Sequence, residues 1–200
     1  MKPLLIVFDG IDGNGKSTQA ALLKEWLEAR GLKVFTTSEP SKSEYGQRID
    51  ELLRKKQASS LPKERWIELF TQDRNENIKE IRAALQENSI VICDRYYYST
   101  LAYQLDEEQW QSYAEQFLKP DMAFIIDVPV DLALERTKEK YRRTGERRAY
   151  FERPEILRKV RQKFLLLPRY LKDNIKIING DRPISVVSKD IKKEVMLILE

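Results

Sequence analysis

The chain has no histidine and one cysteine among 200 residues. Without histidine there is no Ser-His-Asp triad, no His-ligated zinc site and no imidazole general base. With Cys93 alone, no intrachain disulfide can form. Cys93 sits in the apolar run Ile90-Val91-Ile92-Cys93, the setting of a small buried core residue. No apolar run approaches the roughly 20 residues that span a bilayer. The opening Met1-Lys2-Pro3-Leu4 lacks the long apolar stretch of a signal peptide. A cytoplasmic protein with no membrane partner is therefore expected. Lys plus Arg number 36 and Asp plus Glu 32, a net charge of +4. That excess suits a protein handling phosphates and is too small to argue for nucleic acid.

What is present is a globular composition, 42% hydrophobic and 34% charged, at a length that usually makes one domain. Apolar runs suited to buried strands alternate with amphipathic stretches. Strands are expected at Leu4 to Phe8, Lys33 to Thr37, Ile90 to Cys93, Met122 to Val128 and Ile175 to Ile178. Helices are expected at Lys16 to Arg30, Tyr45 to Lys56, Glu64 to Glu87, Ser99 to Phe117, Val130 to Arg142 and Ile184 to Leu199. Ser60, two residues before Pro62, marks a start for the third of these. Such alternation predicts an α/β protein with a parallel sheet covered by helices on both faces. Ligands bind beyond the carboxyl ends of such strands. Asp9 to Ser17, Glu39-Pro40, Asp94-Arg95 and Asp127 should therefore converge.

Between the first strand and first helix stands Gly10-Ile11-Asp12-Gly13-Asn14-Gly15-Lys16-Ser17, followed by Thr18. It fits G-x-x-x-x-G-K-[ST]. Glycines fold the backbone so that its amides point at phosphate oxygens. Lys16 supplies a cation for the outer phosphates, the Ser17 hydroxyl a ligand for Mg²⁺, and the helix its positive end. This loop by itself does not separate kinase, GTPase and motor ATPase. Ile177-Ile178-Asn179-Gly180-Asp181 supplies no guanine-recognition motif. Asp94-Arg95 after the third strand places a magnesium-water anchor beside a phosphate clamp.

Four motifs stand in order: the loop with its leading Phe8-Asp9, Glu39-Pro40, Leu69-Phe70-Thr71-Gln72-Asp73-Arg74, and Asp94-Arg95-Tyr96 with Ser99-Thr100 and Ala102-Tyr103-Gln104. Together they resemble the thymidylate kinases from Leu4 to about Phe164. The resemblance implies a P-loop kinase fold of five parallel strands in the order 2-3-1-4-5, with a lid at about residues 141–153. It implies transfer of phosphate from ATP to dTMP with Mg²⁺, and a homodimer. Another P-loop kinase, for a different nucleotide or a deoxynucleoside, is the nearest alternative.

By resemblance, Lys16 and the amides of Gly10 to Thr18 hold the donor, while Ser17 and Asp94 serve the metal. Arg95 grips the acceptor phosphate, and Asp12 meets the acceptor sugar; the plainer readings are a surface ion pair for Arg95 and a loop-shaping role for Asp12. Asp9 stands where the family usually has Glu and reads as support at least as readily as contact. Phe70 and Arg74, four apart, share a helix face that can stack a pyrimidine and reach its carbonyl. Thr100 meets the base's other polar edge, and Tyr103 packs on the deoxyribose. Ser99, Gln104, Glu39 and Pro40 complete the acceptor set. Arg142, Arg143, Arg147 and Arg148 surround Gly145 in a basic segment that is either a solvated helix end or a lid. The phosphate loop has no arginine, and family members of that kind take the catalytic cation from the lid. Two departures stand out: Ser41-Lys42 comes after Glu39-Pro40 where the family usually has Gly-Gly, and Leu105-Asp106-Glu107-Glu108 comes after Gln104 where the family often has glycines.

Overall fold

The computed structural model describes residues 2–55, 58, 60–145, 151 and 153–199. Its elements, in chain order, are β1 (Leu4–Asp9), α1 (Lys16–Glu28), β2 (Val34–Ser38), α2 (Glu44–Arg54), α3 (Lys63–Gln86) and β3 (Ile90–Asp94). Next come α4 (Tyr97–Gln104), α5 (Trp110–Ala114), β4 (Met122–Asp127), α6 (Val130–Thr144), α7 (Pro154–Tyr170), β5 (Ile175–Asn179) and α8 (Ile184–Leu199). The five strands are parallel, as the strand–helix alternation predicts, in the order β2-β3-β1-β4-β5 that the resemblance implies.

The central strands are apolar on both faces because both are covered. Leu5, Val7, Val91, Cys93, Ala123 and Ile125 face a layer that includes α3, α4 and α7. Leu4, Ile6, Phe8, Ile92, Phe124 and Ile126 pack under α1 and α8 through Leu23, Leu27, Val187 and Ile191. Each such aliphatic side chain contributes about 1.5–3 kcal/mol when fully buried, so this sandwich fixes the height at which the strand ends stop. Cys93 is wholly inside, its thiol donating to the Arg95 carbonyl at 3.1 Å.

Three helical expectations are corrected. The stretch from Ser99 to Phe117 is not one helix: Leu105 and Asp106 are extended, and Asp106 with Gln109 forms a capping box that starts a new turn. Trp110 fills the break, its indole donating to the Leu101 carbonyl at 3.1 Å. The helix α7 was not anticipated. Its Leu157, Val160, Phe164 and Leu167 are buried at helical spacing, with Pro154 at the start. Pro168 lies in the last turn, where it reads from sequence as a breaker. The third helix begins at Lys63 with Pro62, not Ser60, in the N-cap position. Among the described residues, no helix is long and apolar enough to cross a membrane.

Candidate active site

The carboxyl ends of β1, β2 and β3 stop level with one another, Phe8 and Ser38 each pairing with Asp94. The chain leaving β1 turns through Gly10, Gly13 and Gly15, all at positive φ, before entering α1. Asn14 braces this loop from below. Its amide donates to the Ile126 carbonyl at 2.8 Å, and its Oδ1 accepts from the Lys16 amide at 3.0 Å. The first amides of α1 are the ones helix geometry leaves unpaired. Asn14 takes one of them, and the positive end of the helix faces the cleft.

Lys16 is nearly buried and folds back over the loop, its Nζ 3.4 Å from Asp12 Oδ1 and from the Ile11 carbonyl. Asp12 also accepts from Arg95 Nη2 at 2.5 Å. Burial raises the Asp12 carboxyl, but Arg95 and then Lys16 outweigh that and hold it below the usual carboxylate range. Arg95 has φ of 77°, a left-handed conformation uncommon outside glycine. Its amide donates to the Phe8 carbonyl at 2.7 Å, and its Nη1 to Ser99 Oγ at 2.5 Å.

Asp9 holds this corner together. It is fully buried and accepts from the amides of Gly10, Tyr96 and Ser99 at 2.8, 3.1 and 3.0 Å, and from Ser99 Oγ at 2.6 Å. Burial pushes its carboxyl up, against the pull of Arg95. Asp9 therefore ties the phosphate loop to the start of α4 from beneath and stands outside the pocket lining.

Ser17 Oγ donates to Asp94 Oδ2, and Asp94 Oδ1 is buried with no hydrogen-bond partner among the described residues. A hydroxyl beside an unsatisfied carboxylate oxygen is a hard-oxygen donor set that fits Mg²⁺. Among the described residues there is no cluster of three or more acidic, His or Cys side chains able to hold a metal. Such a site suits an ion that keeps waters and phosphate oxygens as its other ligands.

Across the cleft, Arg74 on α3 is almost fully buried. Its Nε and Nη2 donate to Glu39 Oε2 at 3.0 and 2.7 Å, Nη1 to Tyr113 Oη at 3.0 Å and Nη2 to Thr100 Oγ1 at 3.1 Å. Burial pushes the Glu39 carboxyl up, to about 7, despite Arg74. Phe70, half-buried one turn earlier, stacks on Trp66 with centroids 5.9 Å apart.

A pocket of about 340 Å³ joins the two halves. It is lined by Asp12, Lys16, Ser17, Glu39, Pro40, Phe70, Arg74, Asp94, Arg95, Ser99, Thr100, Tyr103 and Gln104, all singled out from the sequence. Of the loop residues, Gly10, Ile11, Gly13, Asn14, Gly15 and Thr18 do not line it; Ile11 and Asn14 are buried and Thr18 is exposed. Arg142 and Arg143 are not brought to it either. They are exposed at the end of α6, where Arg142 meets Glu139 at 3.4 Å. Lys140 and Tyr141, just before them on the helix, do line it. Arg147 and Arg148 lie outside the described residues.

The sequence reading missed Asp50, Leu53 and Arg54 of α2, which also line the pocket. Their helix carries no motif; it is set beside the cleft by packing on α3, where Ile49 meets Trp66 and Leu69, and by the loop that precedes it. It also missed Arg161 of α7, which makes a two-pronged ion pair with Asp127 at 2.6 and 2.9 Å. That pair fastens α7 to the end of β4.

Comparison with known proteins places the chain in one family. A family model described as thymidylate kinase matches residues 8–191. A probable thymidylate kinase of Pyrococcus abyssi is 38% identical, covering 96% of this chain and 95% of its own length. A thymidylate kinase of Desulfotalea psychrophila is 36% identical over 98% and 96%. One from Clavibacter sepedonicus is 32% identical over 100% and 97%.

Proposed function

Since the chain belongs to the thymidylate kinase family, we propose that it transfers the γ-phosphoryl group of ATP to dTMP, giving ADP and dTDP. The observation that carries the reading is the pocket that holds the phosphate loop at one end and Phe70, Arg74 and Thr100 at the other.

Phosphoryl transfer asks for position and charge neutralisation rather than covalent help. Lys16 and the amides at the start of α1 hold the donor's outer phosphates. Arg95 holds the acceptor phosphate through its forked guanidinium, with Asp12 beside it directed to the acceptor sugar. An acceptor phosphate oxygen then attacks the γ-phosphorus in line. The bond from that phosphorus to the bridging oxygen breaks, and ADP leaves with the electron pair. Ser17 and Asp94 would hold Mg²⁺, which when bound would supply charge neutralisation on the donor phosphates. Phe70 stacks the pyrimidine, Arg74 and Thr100 meet its polar edges, and Tyr103 packs on the deoxyribose. Ser99, Gln104, Glu39 and Pro40 shape that end.

In this reading residues 141–153 close over the reacting groups and exclude water. Arg142, Arg143, Arg147 and Arg148 carry the cation that the phosphate loop lacks, and Lys140 joins them from its place at the pocket. A homodimer, supported by the family resemblance, and a cytoplasmic location, supported by the lack of a signal-peptide pattern in the opening residues, belong to the same proposal.

The test is a panel of nucleoside monophosphates with ATP and Mg²⁺, read by ADP release. dTMP should be the preferred acceptor. Turnover of another monophosphate with none of dTMP would overturn the assignment.

A further inference from the structure

Asp73 and Arg74 are consecutive on α3, both buried, and they hold the loop after β2 on opposite sides of Pro40. Arg74 binds Glu39, before the proline. Asp73 binds the two serines beyond it: its Oδ2 accepts from the Ser41 amide at 2.9 Å, and its Oδ1 from Ser41 Oγ at 2.5 Å and Ser43 Oγ at 2.8 Å.

Each hydroxyl then passes the order on. With its proton committed to Asp73, Ser41 Oγ accepts from the Ser43 amide at 3.0 Å. Ser43 Oγ accepts from the Gly46 amide at 3.1 Å and so caps α2. Gly46 lies so close to this loop that a Cβ there would stand 2.0 Å from the Ser41 carbonyl oxygen. Loop and helix must therefore move together. Asp50, Leu53 and Arg54 of that helix form a wall of the pocket that Asp73 itself does not line.

The geometry points to Asp73 as a positioning residue for the acceptor nucleotide, acting through Ser41, Ser43 and α2 rather than by contact. The inference rests on the kinase reading above. The Ser41 hydroxyl is supplied where the family has glycine, so the latch uses this chain's own departure. An amide in place of the carboxylate has one acceptor oxygen for three donors. Its NH₂ would face the Ser41 amide or a hydroxyl already committed, and a buried donor left unpaired is costly.

The test uses the full-length protein and whichever monophosphate the wild type phosphorylates. Asp73→Asn should raise KM for that acceptor about tenfold, the effect of losing roughly one charge-assisted hydrogen bond. KM for ATP and kcat should stay within about twofold. The acceptor's Kd, measured calorimetrically without ATP, should weaken in parallel, and amide exchange over residues 41–54 should quicken. Ser41→Gly keeps the backbone bond and loses both hydroxyl bonds. It should show the same split at smaller size, and it stands in if Asp73→Asn does not fold. Unchanged acceptor KM and Kd in these variants, or equal losses in kcat and both KM values, would overturn the positioning role. A wild type that ignores dTMP but uses another monophosphate would sink the dTMP assignment instead, and the comparison would still read the latch.

Discussion

Arg95 donates to Asp12 at 2.5 Å across 83 positions of sequence, from a backbone held at φ 77°. The pair joins the end of β3 to the phosphate loop. Under the proposed function each partner stands in for something else: Asp12 occupies the guanidinium that is proposed to take the acceptor phosphate, and Arg95 balances the Asp12 charge beside the loop proposed to hold ATP. The same guanidinium reaches Ser99, which Asp9 fixes. The cation is thus aimed before any substrate arrives.

Arg95→Ala should lower kcat/KM for the acceptor roughly 10²–10³-fold, the usual cost of removing one preorganised stabilising donor. Arg95→Lys should recover only part of it, because a point-charge ammonium cannot make the planar fork to Asp12 and Ser99. Steady-state ADP release measures both. Full activity in the lysine variant would show that charge without the fork suffices.

The depressed Asp12 carboxyl carries a pH signature. Its folded pKa lies below the ordinary value of 3.8, so its ionised form stabilises the fold above that value, and the contribution is lost as pH falls further. Urea unfolding of wild type and Asp12→Asn should differ most near neutrality, and the gap should narrow toward pH 3. A gap that widens on acidification would contradict the assignment of Arg95 and Lys16 as its stabilising partners.

The loop glycines should separate stability from activity. A Cβ at Gly13 would stand 2.1 Å from the Ala133 carbonyl oxygen, at φ 82°. Gly13→Ala should cost roughly 3 kcal/mol or more, combining overpacking with left-handed strain. Gly15 has open space around its Cβ position and only φ 93° to restrain it. Gly15→Ala should cost about 1–2 kcal/mol, while activity should fall much further under the proposal that the loop amides hold the donor phosphates. Thermal melts beside ADP release separate the two.

Much of this was legible because the signals were local. Leu4 to Phe8 is apolar throughout, which only a doubly covered strand requires, and the loop motif comes directly after it. The residues ending β2 and β3 converge for the same reason. What escaped needed the third dimension. Pro168 disguised α7, although Leu157, Val160, Phe164 and Leu167 kept helical spacing. Asp50, Leu53 and Arg54 line the pocket because α2 packs on α3 through Ile49, Trp66 and Leu69 and is capped by Ser43, tertiary contacts that no spacing rule encodes. Arg142 is charged and near the right place, yet it is turned toward Glu139, because helix phase decides which of Lys140 to Arg143 meets the cleft.

The strand order carries a consequence for how the chain is made. β1 pairs with β3 at residues 90–94 and with β4 from residue 122 onward. At roughly 5–20 residues per second, the first strand leaves the ribosome seconds before either neighbour exists. The stretch that ends at the phosphate loop is thus made well before the strands that enclose it. During that interval a fully apolar segment with unpaired edges is exposed to whatever else is nearby. The feature that makes the centre of the sheet secure in the finished protein leaves the nascent chain dependent on timely completion.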